Sequence, residues 1–138
     1  MAIRFYLDAD LIGLAKLLTT VRSDVTYPGD LGGTGIDGLT RTSCAIATST
    51  KDMDWIPIVS SSGWVVITRD RHMQHRPHEL SAIKANDARI VTLDPRHALN
   101  KWCQLEIVVS QWRNIEDLAG TGGPWIYTAS RTGLRQRL

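Results

Sequence analysis

Cysteine is scarce in this sequence, and so is any long apolar run. The 138 residues include two cysteines, Cys44 and Cys103. They lie far apart, and neither belongs to a CxxC or Cys/His pattern, which gives a zinc site little support. They read as two free thiols in a reducing cytosol. No stretch approaches the roughly 18 apolar residues that suggest a membrane span. Asp8 and Asp10 interrupt the N-terminus before any signal-peptide apolar region can form. The expectation is a soluble, cytoplasmic protein with no membrane partner. A strong charge of one sign is also missing: 16 Lys and Arg face 14 Asp and Glu, a net charge of +2. That balance is too mild to demonstrate a nucleic-acid partner. There is no internal repeat and no composition shift that would mark a second domain.

Apolar residues make up 43% and charged residues 22%, ordinary globular usage. The length suits one domain with a core of its own. Charge is unevenly placed. Residues 69–78 read RDRHMQHRPH, with Arg69, Arg71, Arg76, His72, His75 and His78 against the single acid Asp70. The C-terminal RTGLRQRL adds Arg131, Arg135 and Arg137 without an acid. Such clusters attract phosphates, although a solvated polar face is the commoner role of any one of them. The spacing of His72, His75 and His78 has loop composition around it and no flanking cysteine, so it points to a solvated or phosphate-facing stretch.

Hydrophobic patterning alternates strand and helix. Residues 3–7 (IRFYL) predict a buried strand ending at Asp8, and residues 9–20 predict a helix with Leu11, Leu14, Leu17 and Leu18 at helical spacing. Residues 21–27 suggest a second strand. Residues 28–50, rich in Gly, Ser and Thr, predict a long loop with a small helix near residues 43–47. Gly33, Gly35 and Gly38 formally match G-x-G-x-x-G, but no strong strand precedes them, and the match is read as chance. A helix is expected over residues 52–62 with Asp52 as its N-cap and Gly63 closing it. Residues 64–68 (WVVIT) give the strongest strand signal. A helix follows from Pro77, then a strand over 88–93, a helix over 98–115 with Trp102, Leu105, Val109 and Trp112 on one face, and a strand over 125–128 before a basic tail. The tryptophans read mostly as core. This order implies a mainly parallel sheet with helices on both faces.

Three of these strands end in an aspartate: Asp8, Asp70 and Asp94. Ligands of open α/β sheets bind beyond the carboxyl ends of the strands. Asp8 and Asp70 would converge there, with Asp52 and Asp54 joining if their helix starts on the same edge. Clustered carboxylates repel one another, and a hard divalent cation such as Mg²⁺ or Mn²⁺ relieves that cost. With such an ion, an acidic pocket can bind a phosphodiester and activate water. Taken singly, each acid also has a plain structural role. Asp8 and Asp52 suit helix caps, Asp10 and Asp54 suit first-turn positions, and Asp94 before Pro95 suits a turn.

The segments RFYLDAD, KDMDWIP and GWVVITRDRHMQHRP together resemble the PIN-like family of VapC-type toxins over about residues 3–93. The resemblance implies a three-layer α/β/α sandwich, dependence on Mg²⁺ or Mn²⁺, and cleavage of RNA of the tRNA or rRNA class. It also implies a cognate antitoxin and frequent homodimers. Carried over by motif, Asp8, Asp52 and Asp70 are the catalytic and metal-holding acids, with Asp54 and Asp10 as further candidate ligands. Arg69, Arg71, His72 and Arg76 are the candidate RNA contacts. Many PIN domains have a further acid two residues past the third, where this chain has His72; Asp10, Asp54 and Asp94 are the candidates to replace it. Two rival readings stand beside this one. Asp8-Ala9-Asp10 and Thr68 fit a haloacid-dehalogenase-type phosphatase with Asp8 as nucleophile. The absent acid at position 72 fits a non-catalytic PIN-like module that binds RNA or protein.

Overall fold

Strand residues that point alternately to opposite faces divide the interior into two cores. In the computed structural model, which describes residues 2–138, a six-stranded sheet has the order β2-β1-β5-β6-β7-β8. Its strands are β1 (Phe5–Leu7), β2 (Val25–Thr26), β5 (Val65–Thr68), β6 (Arg89–Leu93), β7 (Trp125–Ala129) and β8 (Leu134–Gln136). All neighbours pair in parallel except β7 with β8. Phe5, Leu7, Val65, Ile67, Val91 and Leu93 face one core, which α1 (Ile12–Thr19) and α4 (Lys101–Ala119) cover. Tyr6, Val66 and Ile90 face the other, under α2 (Asp52–Ser61) and α3 (Pro77–Ala85). The result is a three-layer α/β/α sandwich, as expected. Each large aliphatic side chain so buried contributes roughly 1.5–3 kcal/mol. Among the described residues no helix is long and apolar enough to cross a membrane.

The differences from the pattern-based expectations have local causes. The strand expected over residues 21–27 is only Val25–Thr26. Val21 and Arg22 instead donate to Leu18 O at 3.1 and 2.9 Å and finish the turn after α1. No helix forms near residues 43–47. The glycine-rich segment makes a two-stranded ladder of β3 (Gly33–Thr34) and β4 (Thr40–Arg41). It is pinned by the buried Asp30, which accepts from Thr26 Oγ1 at 2.9 Å, Gly32 N at 2.9 Å and Arg41 Nη1. Gly32 has a φ of +79°, and a Cβ there would meet Arg41 O at 2.5 Å, so glycine is required. Ile46 from this loop packs into the second core.

Helix α4 turns Gln104, Ile107, Val108, Gln111 and Ile115 inward, not the stripe through Trp102 and Val109, which are 69% and 64% exposed. The expected face is split: Trp102 and Val109 turn to solvent, while Leu105 and Trp112 pack at the edge of the core, with the Trp112 ring 4.6 Å from that of Phe5. Asp52 is not an N-cap. Lys51 holds that position without a side-chain bond, while Asp52, the first helical residue, accepts from Trp55 Nε1 at 3.0 Å. The basic tail is partly ordered as β8, paired with β7 from Tyr127↔Gln136 to Ala129↔Leu134.

Candidate metal centre

The chain runs from β1 through α1 to β2 on one side, and later supplies β5 on the other side of β1. The strand order therefore reverses between β1 and β5, and a crevice opens at such a switch point beyond the carboxyl ends. Asp8 follows β1 directly, and Asp70 lies two residues past β5. Their strands are neighbours, with Leu7 paired to Ile67.

Thr68 at the end of β5 ties the two acids together. Its hydroxyl donates to Asp8 Oδ2 at 3.1 Å, and its oxygen accepts the Asp70 backbone N–H at 3.1 Å. Asp8 Oδ1 takes the Ala9 N–H at 2.7 Å, capping the short 3₁₀ turn Ala9–Leu11 that leads into α1. Asp10 Oδ2 reaches across to the Arg69 N–H at 3.2 Å. Asp70 Oδ1 accepts from His72 N at 2.9 Å. The loop 68–72 is thus folded by its own acids and hydroxyl, with backbone N–H groups as the donors.

From the other core layer come Asp52, aimed by the buried Trp55 indole, and Glu79 in the first turn of α3. Asp52, Asp70 and Glu79 each offer an oxygen within 4.8 Å of the others. Glu79 is not among the sequence-based candidates for the further acid, which are Asp10, Asp54 and Asp94. Its signal was a first-turn acid two residues after the helix-starting Pro77, which resembles ordinary dipole decoration. Thr68 was noticed only for the phosphatase reading. Asp54 lies on the exposed side of α2 and joins no such group. Asp94 is turned to Arg96, with Nη2 to Oδ2 at 2.8 Å and the Arg96 backbone N–H on Oδ1 at 3.0 Å.

Of the basic residues expected near the site, Arg76 enters it. Its Nη1 lies 2.7 Å from Asp70 Oδ2 and 3.0 Å from Glu79 Oε2. Arg69 contributes its backbone to Asp10, and Arg71 and His72 are exposed just beyond Asp70. The electrostatics are those of crowded carboxylates. Burial, then Asp10 and Asp52, push Asp8 up from 3.8 to about 6, against the lowering effect of the Ala9 and Thr68 bonds. Asp10 is raised as well: the chain around its carboxyl desolvates it, and Asp70 and Asp52 add repulsion, although the residue as a whole is exposed. Burial raises Glu79, with Asp52 and Asp70 adding to it and Arg76 opposing.

These residues fit a hard divalent cation. The donors are carboxylate oxygens, the ligand type Mg²⁺ and Mn²⁺ prefer. Backbone N–H groups, the Thr68 hydroxyl and Arg69 offset part of the repulsion among them, and Arg76 is the guanidinium that bridges two of the acids, standing where positive charge is wanted. No curated protein and no solved structure matches the chain. A family model described as a PIN-like domain matches residues 3–95, a span that takes in Asp8, Asp52, Asp70 and Glu79. With that match over more than half of its length, and with the α/β/α sheet that brings those acids to one crevice, the chain belongs to the PIN-like domain family.

Proposed function

We propose that this protein is a divalent-metal-dependent endoribonuclease, the toxin of a toxin–antitoxin pair, acting in the cytoplasm. PIN-like domains are typically nucleases, and the observation that carries the reading here is the convergence of Asp52, Asp70 and Glu79 on one point beside Asp8. Asp8, Asp52, Asp70 and Glu79 would hold Mg²⁺ or Mn²⁺, with Asp10 at the rim. When bound, the ion supplies Lewis acidity: it neutralises phosphodiester charge and lowers the pKa of water.

The chain's own groups do the rest. Thr68 fixes the spacing of Asp8 and Asp70 through its two hydrogen bonds. Trp55 locks the Asp52 rotamer. Asp10, with its raised affinity for a proton, faces the crevice and can take one from an attacking water. Arg69, Arg71 and His72 line the approach and attract backbone phosphates of tRNA- or rRNA-class substrates. Arg76, which pairs with Asp70 and Glu79, would be free to meet a phosphate where those carboxylates hold an ion. The binding-only alternative drew on the missing acid at position 72, and Glu79 supplies a carboxylate in its place. A cognate antitoxin and a homodimer are part of the same proposal.

The test is cleavage of purified total RNA by wild type and Asp70→Asn, with Mg²⁺ or Mn²⁺ and with chelator. Discrete products that require both the metal and Asp70 support the reading. A folded Asp70→Asn variant that cleaves undiminished, or cleavage that persists in chelator, would sink it.

A further inference from the structure

Beside the acidic crevice lies a cavity of about 420 Å³ whose walls carry Arg71, Arg96, Arg135 and Arg137, with Asp94 as its single acid. The fold builds it deliberately. Asp94 follows β6, Thr128 is near the end of β7, and the antiparallel pairing of β8 sets Arg135 opposite Thr128. Arg137 Nε donates to Thr128 Oγ1 at 3.1 Å, and Thr128 Oγ1 is 3.0 Å from Thr92 Oγ1. The cavity therefore occupies the same sheet edge as the acids. Asp70 and Thr128 belong to strands two places apart, so the two sites are separated by roughly 10 Å.

The charges in the cavity do not cancel. Asp94 is already bound through both oxygens to Arg96. Among the described residues Arg71, Arg135 and Arg137 have no carboxylate within ion-pair distance. Three guanidiniums without a carboxylate partner, one from the loop after β5 and two from the C-terminal segment, line one concavity and make it attractive to an anion. Their planar forks match phosphate oxygens. His72 and His75 complete the wall on the side of the acids. Arg71 lies within the residues matched by the family, whereas Thr128 on β7, Arg135 on β8 and Arg137 lie beyond them.

We propose that this cavity is a second substrate subsite, which grips the backbone phosphates of the RNA strand flanking the cleaved bond through Arg71, Arg135 and Arg137. The proposal rests on the nuclease reading for its substrate. It adds a direction to it: the strand leaves the acidic crevice over the ends of β6 and β7 toward β8. Such contacts are independent of base sequence and serve to place the scissile phosphate.

The experiment measures binding of a fluorescent single-stranded 12-mer RNA in chelator, where no cleavage occurs, as a function of salt. It compares wild type, Arg135→Ala/Arg137→Ala, and the charge-matched control Lys84→Ala/Arg113→Ala, which removes exposed charges elsewhere. The first variant is expected to bind at least tenfold more weakly and to lose about 1.4 from the log–log salt slope, two phosphate contacts at roughly 0.7 each. The control should lie within about twofold of wild type. Arg71→Ala, on a different element, should weaken binding in the same direction, and Arg135→Lys/Arg137→Lys should recover most of the slope. Affinity and slope equal to the control's would overturn the proposal, as would polyglutamate displacing RNA from the cavity at equal charge concentration, which would mark the site as one for an acidic protein. Cleavage by Asp70→Asn is read separately. If it persists, the nuclease reading falls while the binding result stands; if only the arginine variants behave like the control, the subsite falls and the nuclease remains.

Discussion

Asp8 shows what a carboxylate loses by sitting where function wants it. It is 9% exposed, and its pKa is pushed to about 6. An acid with a raised folded-state pKa binds its proton more tightly in the folded protein than in the unfolded chain. Taken alone, Asp8 therefore costs the metal-free protein nothing below about pH 4 and destabilises it as pH rises through about 6. The full penalty at neutral pH is of the order of 3 kcal/mol or less. Asp8→Asn should remove it. In chelator, urea unfolding at pH 7.5 should find the variant more stable than wild type by ~1–3 kcal/mol, with the difference shrinking at pH 4. A variant that is less stable at pH 7.5 would contradict the assigned cause. Arg76 carries the opposite charge to the same place. Arg76→Ala should tighten Mn²⁺ binding by about three- to fivefold, since the exposed pairs it breaks are each worth up to ~1 kcal/mol. Calorimetric titration would read this directly, and weaker binding would show that Arg76 does not compete with the ion. At this scale the sequence was partly legible. Asp8 and Asp70 stood out because each follows a strand of unmistakable composition. Glu79 did not, because a first-turn glutamate looks alike whether it decorates a helix dipole or faces a crevice.

Elements hold these residues in place through their ends. Helix α2 runs from Asp52 to Ser61, and the chain leaves it at Gly63, whose φ is +76°. Nothing lies within 4 Å of a Cβ built there, so Gly63→Ala meets no clash and costs only backbone strain, about 1 kcal/mol. Thermal unfolding should fall by ~3–5 °C, with RNA cleavage per folded molecule unchanged; an activity loss larger than the stability loss would mean that α2 moves the site. The buried strands β1, β5, β6 and β7 were readable because continuous apolar runs have few other uses. The segment 21–50 was not. Its order comes from Asp30 and Arg41 meeting across 11 positions of sequence, a long-range ion pair that local composition does not announce. The inward face of α4 was half legible for a related reason: of the expected Trp102, Leu105, Val109 and Trp112, only Leu105 and Trp112 pack, and the sheet decides that Ile107, Val108 and Ile115 lie deepest.

At the scale of the molecule, the switch of strand order between β1 and β5 is what makes a site out of scattered acids. It brings residues 8, 52, 70 and 79 to one crevice, with two α/β layers closing behind them. The alternating pattern of the sequence implied that crevice, since a parallel sheet must have a carboxyl edge. Which acids would share it depended on how α2 and α3 are set against the sheet, and the sequence does not encode that separately from the packing itself. Under the proposed function Asp8 joins Asp52, Asp70 and Glu79 in holding the ion. The measurement that tests it most directly is Mn²⁺ titration of wild type, Glu79→Gln and Asp54→Asn by electron paramagnetic resonance. The account predicts that Glu79→Gln weakens binding tenfold or more, about 1.4 kcal/mol, while Asp54→Asn binds like wild type. Glu79→Gln binding Mn²⁺ as tightly as wild type, with Asp54→Asn losing it, would contradict the account.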